Sequence, residues 1–411
     1  MNIKKLEEIK NFEVILEQDA NERIIYLYEL QNSQFVIGKT FYPDVLIHSF
    51  NDNGFYNPIN EVIKSLEKQT IKKSFNYELS TKKIEENTPV FYFIYNTDNY
   101  FHFVYDTLPY IISYVRKKKE LPELKLLLNY PNKQLTKVYK FVLEFLELLN
   151  INKKDIIFVN EETLYKKIFI SSSYTHGHNS DIFPRDEIYN FYKELVEANK
   201  KDFILNTPKK IYISRRSWIH NDYSNIGTNY TLRRKMENED ELVEILTKRG
   251  YEEIFTEKLS TIEKLNLFYN AEYIIGAIGG GLCNVLFSKP QTKLVTIVSP
   301  TFLDVNMRFK YCLEKVDITY FQDTQHIEKD DYKVGMRVES EEKSIIGEIL
   351  KVEDDFLIIQ YVNHNVAGWN SQINFNHIKL HKELCNKLDN GLNSSFIINL
   401  ENFEELISSY E

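Results

Sequence analysis

From residue 89 onward the chain switches between two hydrophobic rhythms. PVFYFIY (89–95), LKLLL (124–128), DIIFV (155–159) and KIFIS (167–171) are apolar runs of strand length. Between them FHFVYDTLPYIISYVRKKK (101–119), TKVYKFVLEFLELL (136–149) and RDEIYNFYKELVEANKK (185–201) space their apolar residues for one face of a helix, the first with a proline inside it. Apolar strands alternating with amphipathic helices predict a parallel sheet covered on both faces. After a break at LNTPKK (205–210) a second series follows: strand KIYIS (210–214), helix ENEDELVEILTKRG (237–250), strand YEEIF (251–255), helix STIEKLNLFYNA (260–271), strand YIIGA (273–277), a short helix GLCNVLF (281–287) and strand KLVTIV (293–298). The acidic first turn of 237–250 and its terminal Gly250 suit the helix dipole and the C-cap.

Two such series predict an α/β fold of two doubly wound, Rossmann-like domains, over 1–200 and 201–328. Ligands of such sheets bind at the carboxyl ends of the strands, which puts the expected site in a cleft between the halves. The first eighty residues are mixed, with a strand in RIIYLYEL and a short helix in NEVIKSLEKQ. Near the other end VGMRVES, SIIGEILKV and DFLIIQYV are short β-type runs between charged turns, predicting a small β-barrel-like module over 329–382. A helical tail over 383–411 completes the chain, its helix NFEELISSYE packing back onto the main body.

Composition narrows the function. A chain of 411 residues with 43% hydrophobic content buries more than one core. Its net charge of −9, with Lys and Arg scattered, argues against nucleic acid as the primary partner. Cys283, Cys312 and Cys385 are odd in number and lack ligand spacing, so neither a disulfide framework nor a zinc site is expected. No apolar h-region and no run of eighteen apolar residues occurs. The expectation is a cytoplasmic protein, with peripheral membrane association and oligomeric state left open.

Candidate chemistry centres on IIGAIGGGLCNVLF (274–287), which uses Gly279, Gly280 and Gly281 in succession out of thirteen glycines. A strand, a glycine turn and a short helix present backbone N–H groups without side chains in the way, an anion cradle suited to a diphosphate. No GxxxxGK[ST] is present, and GxGxxG fails because Asn284 stands where its last glycine belongs. That removes the dinucleotide-dependent oxidoreductase as a reading. The competing account of the turn is close strand-to-helix packing.

Four stretches, in order, resemble the glycosyltransferase 61 family. Gly276, Gly279, Gly281, Leu282 and Asn284 are similar to its GxxGxGLxN turn. NYFHFVYDTLPYI (99–111) resembles its N-x-x-H-x-x-x-D-x-L-P helix, IYISRRS (211–217) its Y-x-S-R-R strand end, and RRKMENEDELVEIL (233–246) its R-R-x-x-N-E segment. The resemblance spans roughly residues 89–300. It departs from the family at Ile278, where a histidine is frequent, and at Lys264, where a glutamine is. The resemblance implies an inverting transferase of the GT-B kind that uses a nucleotide diphosphate sugar, a UDP-sugar by expectation, and a hydroxyl on a glycan or lipid-linked saccharide in surface polysaccharide synthesis. No cofactor is expected beyond that cosubstrate.

Such a transfer must stabilise the leaving diphosphate and deprotonate the acceptor. Arg215 and Arg216 at the end of KIYIS, with Arg234, offer guanidinium forks for phosphate, or else ion pairs for the neighbouring acids. Glu239 is placed to bond the nucleotide ribose or to start its helix. His102 and Asp106, four apart, share a helix face, and either is a candidate base; the alternative is that they cap the Leu108–Pro109 kink. Asn99 holds the start of that helix. His176 and His178 follow a strand end and are expected to touch acceptor or sugar. With no D-x-D stretch, a metal-independent reaction is expected. The rival from another class is a noncatalytic nucleotide- or glycan-binding protein on a degenerate scaffold, favoured by Ile278 and opposed by His102, Asp106 and Arg215.

Overall fold

A computed structural model describes residues 3–4, 6–16, 24–37, 45–56, 84–93, 97, 99–129, 138–159, 163–175, 186–203, 206–216, 234–300, 309–310, 313, 316–326, 332–340, 346–362, 373–387 and 395–410. The expected helix NEVIKSLEKQ, Arg233, His176, His178 and Cys312 lie outside the described residues. The chain divides into two compact units, Met1–Leu195 and Val196–Glu411.

The first unit is built on a ten-stranded sheet. In chain order its strands are β1 (Ile3–Lys4), β2 (Phe12–Leu16), β3 (Ile25–Ile37), β4 (Val45–Ser49), β5 (Gly54–Tyr56), β6 (Ile84–Glu86), β7 (Val90–Tyr92), β8 (Lys125–Asn129), β9 (Ile156–Val159) and β10 (Thr163–Ser171). They lie in the order β1-β5-β4-β3-β10-β7-β8-β9, with β2 against β3 and β6 against β10. The parallel half, β10-β7-β8-β9, is the one the alternating pattern predicts. The expectation of a doubly wound sheet is corrected in the other half, where β2, β3, β4 and β5 pair antiparallel. Helices α1 (Ile111–Glu120) and α2 (Lys140–Leu148) connect β7 to β8 and β8 to β9. Phe103, Phe141 and Phe145 of this unit are fully buried, and Phe103 meets the other two rings at 5.5 and 6.0 Å between centroids. Helix α3 (Asp186–Asn199) follows β10.

The second unit carries the all-parallel sheet. Its strands β11 (Lys210–Ile213), β12 (Glu252–Ile254), β13 (Tyr273–Ala277), β14 (Lys293–Ile297) and β15 (Asp317–Phe321) lie in the order β12-β11-β13-β14-β15. Helix α4 (Glu239–Lys248) links β11 to β12, and α5 (Thr261–Asn270) links β12 to β13. Ser260 and Glu263 form a capping box that starts α5, satisfying two backbone donors reciprocally.

Two further pieces belong to this unit. Strands β16 (Thr324–His326) and β22 (Phe396–Ile398) form a ribbon, and α6 (Leu400–Tyr410) buries Phe403 and Ile407 against Met236, Leu242 and Phe321. The end of the chain thus completes the core of the parallel sheet. Between the ribbon strands, β17 (Arg337–Ser340), β18 (Ile346–Val352), β19 (Phe356–Val362), β20 (Ile373–His381) and β21 (Cys385–Lys387) make a five-stranded antiparallel sheet. Val338, Ile349, Leu357, Ile359 and Cys385 are its own small core. The segment expected as a helical tail from 383 therefore begins with two strands, because the Cys385–Lys387 backbone pairs with β17 and Phe396–Ile398 with β16.

Both sheets turn their winding at one strand. In the first unit the chain places β8 and β9 on one side of β7 and β10 on the other. In the second it places β12 on one side of β11 and β13 on the other. Turns leaving the carboxyl ends of such neighbours diverge over opposite faces of the sheet, and the crevice between them is where open α/β sheets bind ligands.

Candidate functional site

The candidate residues fall into two groups, one in each unit. The first begins where the chain leaves β7. Residues His102–Thr107 form a π-helical turn, followed by a 3₁₀ turn at Leu108–Tyr110 that holds Pro109, and then by α1. The proline thus sits at the start of the regular helix, where its missing N–H costs nothing. Single π turns inside helices recur at functional sites, and the wider winding brings residues four apart nearly into line.

Asn99 starts this turn: its Oδ1 accepts from the His102 amide at 3.2 Å and its carbonyl from the Phe103 amide at 2.8 Å. His102 Nδ1 lies 2.7 Å from Asp106 Oδ2. His102 is 6% exposed and Asp106 is fully buried. With Asp106 ionised, and so only an acceptor, the imidazole Nδ1 is the protonated nitrogen of this pair and Nε2 the basic one. The other carboxylate oxygen, Oδ1, accepts from the Thr175 hydroxyl at 3.2 Å. Thr175 follows β10, the neighbour of β7, so the two strands that meet at the change of winding supply the three members of this cluster.

The second group lies where β11 and β13 end side by side. Glu239, first residue of α4, is 2% exposed. Its Oε1 accepts from the Tyr212 hydroxyl at 2.7 Å, the Arg215 amide at 2.8 Å and the Ser214 hydroxyl at 3.4 Å. Its Oε2 is buried without a hydrogen-bond partner. Burial is the largest influence on this carboxyl and raises its pKa above the usual range, against the Arg215 amide and the Tyr212 hydroxyl, which lower it. The same burial lowers the pKa of the Arg215 guanidinium and raises that of Tyr212.

Arg215 reaches across to the glycine turn, donating from Nη1 to the Ile278 carbonyl at 2.8 Å. The glycines make room for this. A Cβ on Gly279 would lie 2.6 Å from Arg215 Nη1, and one on Gly281 would lie 2.7 Å from Thr256 Oγ1 and 3.1 Å from Ile213 Cγ2. Gly279 itself has extended backbone, so close approach and not an unusual dihedral is what demands glycine there. From Gly280 to Phe287 the chain runs as a 3₁₀ helix with Leu282 and Asn284 buried, and Asn284 Nδ2 donates to the Gly281 carbonyl at 2.8 Å.

Arg216 is directed elsewhere. Its Nε and Nη2 bond both oxygens of Glu253 on β12 at 2.9 and 2.6 Å, and its Nη1 bonds Asp240 in the first turn of α4. These acids raise its pKa. Arg234 is half-buried with a positive φ of 54°, two residues before Met236 enters the core of the second unit. Lys264, at the position of the family's frequent glutamine, is buried on α5.

Thr175 and Thr256 join these groups without having stood out in the sequence. Tyr212 and Ser214 stood there as the first two fixed positions of the Y-x-S-R-R likeness, without a role, and the structure places both on Glu239. Among the described residues no group of three or more His, Cys, Asp or Glu is placed to hold a metal ion, and no helix is long and apolar enough to cross a membrane.

The four stretches that carry these residues lie largely inside one matched region. Residues 100–295 match the Glycosyltransferase 61 family. That match implies sugar transfer, with a sugar donor and an acceptor as substrates. No curated protein matches the chain. The matched region begins just before His102 and ends inside β14, so it takes in both clusters and leaves the β17–β21 sheet outside it.

Proposed function

We propose that this chain is an inverting, metal-independent glycosyltransferase of the GT-B kind, which moves a sugar from a nucleotide diphosphate sugar to a hydroxyl of a glycan or lipid-linked saccharide. The observation that carries this reading is the buried His102–Asp106 pair, 2.7 Å apart, within the region that matches the family. His102 Nε2 takes the proton of the acceptor hydroxyl as its oxygen attacks the anomeric carbon. The bond from that carbon to the diphosphate breaks in the same displacement, and the nucleoside diphosphate leaves with the electron pair. Asp106 holds the imidazole and stabilises the imidazolium that forms.

The second cluster suits the departing anion. Arg215, seated on the Ile278 carbonyl, and the first amides of the turn at Gly280 and Gly281 face charge that grows as the diphosphate leaves. Leu282 and Asn284 hold that turn in shape. Glu239 Oε2 accepts from a ribose hydroxyl of the nucleotide, the donor it lacks in the free protein. Arg234 is assigned to the donor on the family pattern, and His176 and His178 to acceptor or sugar contact because they follow the predicted strand KIFIS in the sequence. A UDP-sugar donor, surface polysaccharide as product and a cytoplasmic setting complete the reading.

The test is a melting-temperature panel of UDP-, GDP-, CMP- and dTDP-sugars with and without magnesium or manganese, followed by transfer assays with the stabilising donor. A ligand that binds only the native state raises the melting temperature by mass action. Stabilisation by one nucleotide class without metal, together with a His102→Gln variant that keeps this shift and loses transfer, is the expected result. A His102→Gln variant that transfers sugar at the wild-type rate refutes the assignment of the base.

A further inference from the structure

We infer that Ser299 is a donor-binding residue of the transfer proposed above: its buried hydroxyl donates to a diphosphate oxygen on the β14 side of the glycine turn, across from Arg215. The inference rests on the reading of that turn as the diphosphate site. It adds a strand end beyond the matched region, which stops at residue 295.

The position follows from the register of the parallel sheet. Ala277 of β13 lies beside Ile297 of β14, and the Ile278 amide carries the ladder one step on by donating to the Ile297 carbonyl at 3.1 Å. Counted on from that pair, Ser299 comes level with Gly279. On the other flank Ile213 of β11 lies beside Gly276, and Arg215 reaches the turn so closely that a Cβ on Gly279 would lie 2.6 Å from its Nη1. Every second residue of a strand faces the same side of its sheet. Tyr212, Ala277 and Ile297 share one such face in the core of this unit, and two residues on, at the carboxyl edge, it continues in Ser214, Gly279 and Ser299. Ser214 Oγ already lies on Glu239 Oε1 at 3.4 Å.

The backbone that leads to Ser299 is fixed. The Val298 amide donates to the Phe321 carbonyl at 3.0 Å, and the Val298 carbonyl accepts from the Thr324 hydroxyl at 2.7 Å. The Ser299 side chain is not held in this way: the residue is 5% exposed, and its Oγ is buried without a hydrogen-bond partner. A hydroxyl taken out of water and left unbonded costs stability in the free protein, and that cost is recovered when a ligand supplies the partner. Thr207 and Ser288 also carry hydroxyl oxygens in this state, but they lead into the amino ends of β11 and β14, away from the edge where open α/β sheets bind ligands. Ser299 stands at that edge, as does Glu239 with its own unpartnered Oε2. A hydroxyl can donate where a carboxylate only accepts, so Ser299 suits the anionic part of the donor and Glu239 its ribose. A hydrogen bond to a charged phosphate oxygen is also stronger than one between neutral groups.

The experiment titrates the full chain and its Ser299→Ala variant with UDP, GDP and dTDP, and with uridine, guanosine and thymidine, by calorimetry, beside melting curves of both proteins without ligand. The alanine variant is expected to melt at the wild-type temperature or above it, because removing an unbonded hydroxyl strands no partner. It should bind the diphosphate that the wild type prefers roughly tenfold more weakly, the effect of one charge-assisted hydrogen bond, and bind the matching nucleoside as the wild type does. A residue that only supports the fold would show the reverse, a lower melting temperature with unchanged affinity. Wild-type affinity for the diphosphate in the variant, an equal loss for diphosphate and nucleoside, or a variant that melts several degrees lower or does not fold overturns the inference and leaves the donor site standing. A wild type that binds none of the three diphosphates overturns the reading of the turn itself, and the role of Ser299 with it.

Discussion

The two buried carboxylates among the described residues, Asp106 and Glu239, differ in one respect that divides their work. Asp106 has a donor on each oxygen, His102 on one and Thr175 on the other. Glu239 collects three donors on Oε1 and leaves Oε2 without one. The first has both of its oxygens engaged, and it acts by orienting what it already holds. The second sits under a desolvation penalty that raises its pKa and retains one unused acceptor position. Full satisfaction marks an orienter, and partial satisfaction marks a place where a ligand's hydroxyl completes the set.

The sharpest way to break this contrast is Asp106→Asn. An amide in place of the carboxylate offers an N–H where His102 needs an acceptor and so favours the wrong tautomer. The transfer rate is expected to fall by about 10³- to 10⁴-fold, as in other sites where a carboxylate orients a catalytic histidine. The donor-dependent rise in melting temperature should persist, since the diphosphate contacts are assigned to the second cluster. An unchanged rate would remove Asp106 from the mechanism.

The glycine turn gives the next largest effects, and two neighbouring alanines should part ways. At Gly281 the new methyl meets Thr256 Oγ1 at 2.7 Å, on a short side chain that cannot swing clear, so Gly281→Ala should cost about 1–3 kcal/mol of stability. At Gly279 it meets the far end of Arg215, which can move. Gly279→Ala should therefore melt near the wild type while losing the Arg215–Ile278 bond, and bind the stabilising donor about tenfold more weakly. Equal melting temperatures for the two variants, or full donor affinity in Gly279→Ala, would show that the turn is packing alone.

A smaller effect tests Glu239. Its folded pKa is raised, so the native state holds its proton over a pH range where the unfolded chain has released it. Between the unfolded value near 4.5 and the higher folded value the native state binds more protons, and stability falls as pH rises through that window. Glu239→Gln cannot titrate. The wild type should lose melting temperature relative to the glutamine variant as pH increases from about 4.5, and a constant difference would contradict the burial assigned to this group.

The sequence exposed those parts of the fold whose strands are apolar without interruption. VFY of β7 is buried at all three positions and YIIGA of β13 at all but its first, because each strand is covered on both faces. β3 hid itself: after IYLYEL it continues through Gln31, Asn32, Ser33 and Gln34, with Ser33 and Gln34 fully buried, and a polar stretch of that kind reads as a loop. His102 and Asp106 were legible because four residues of one helical turn fix their proximity. Thr175 was not, since only the adjacency of β7 and β10 brings it to Asp106. The alternatives left open for the arginines were likewise separated by tertiary placement, because adjacent residues at a strand end project to opposite sides of the sheet.

That separation yields the smallest predicted effect. Arg215 bonds the glycine turn, whereas Arg216 forks onto Glu253 and bonds Asp240, tying β12 to the first turn of α4. Arg216→Lys keeps the charge and loses the planar fork, so it should cost no more than about 1 kcal/mol of stability, as partly exposed ion pairs do. It should leave the donor-dependent melting shift intact. Arg215→Lys, by contrast, should diminish that shift, because a compact ammonium cannot bond the Ile278 carbonyl and a diphosphate oxygen in one plane. If the two lysine variants lost donor binding alike, both arginines would face the donor, and the pairing of Arg216 with Glu253 would have to open when the nucleotide sugar binds.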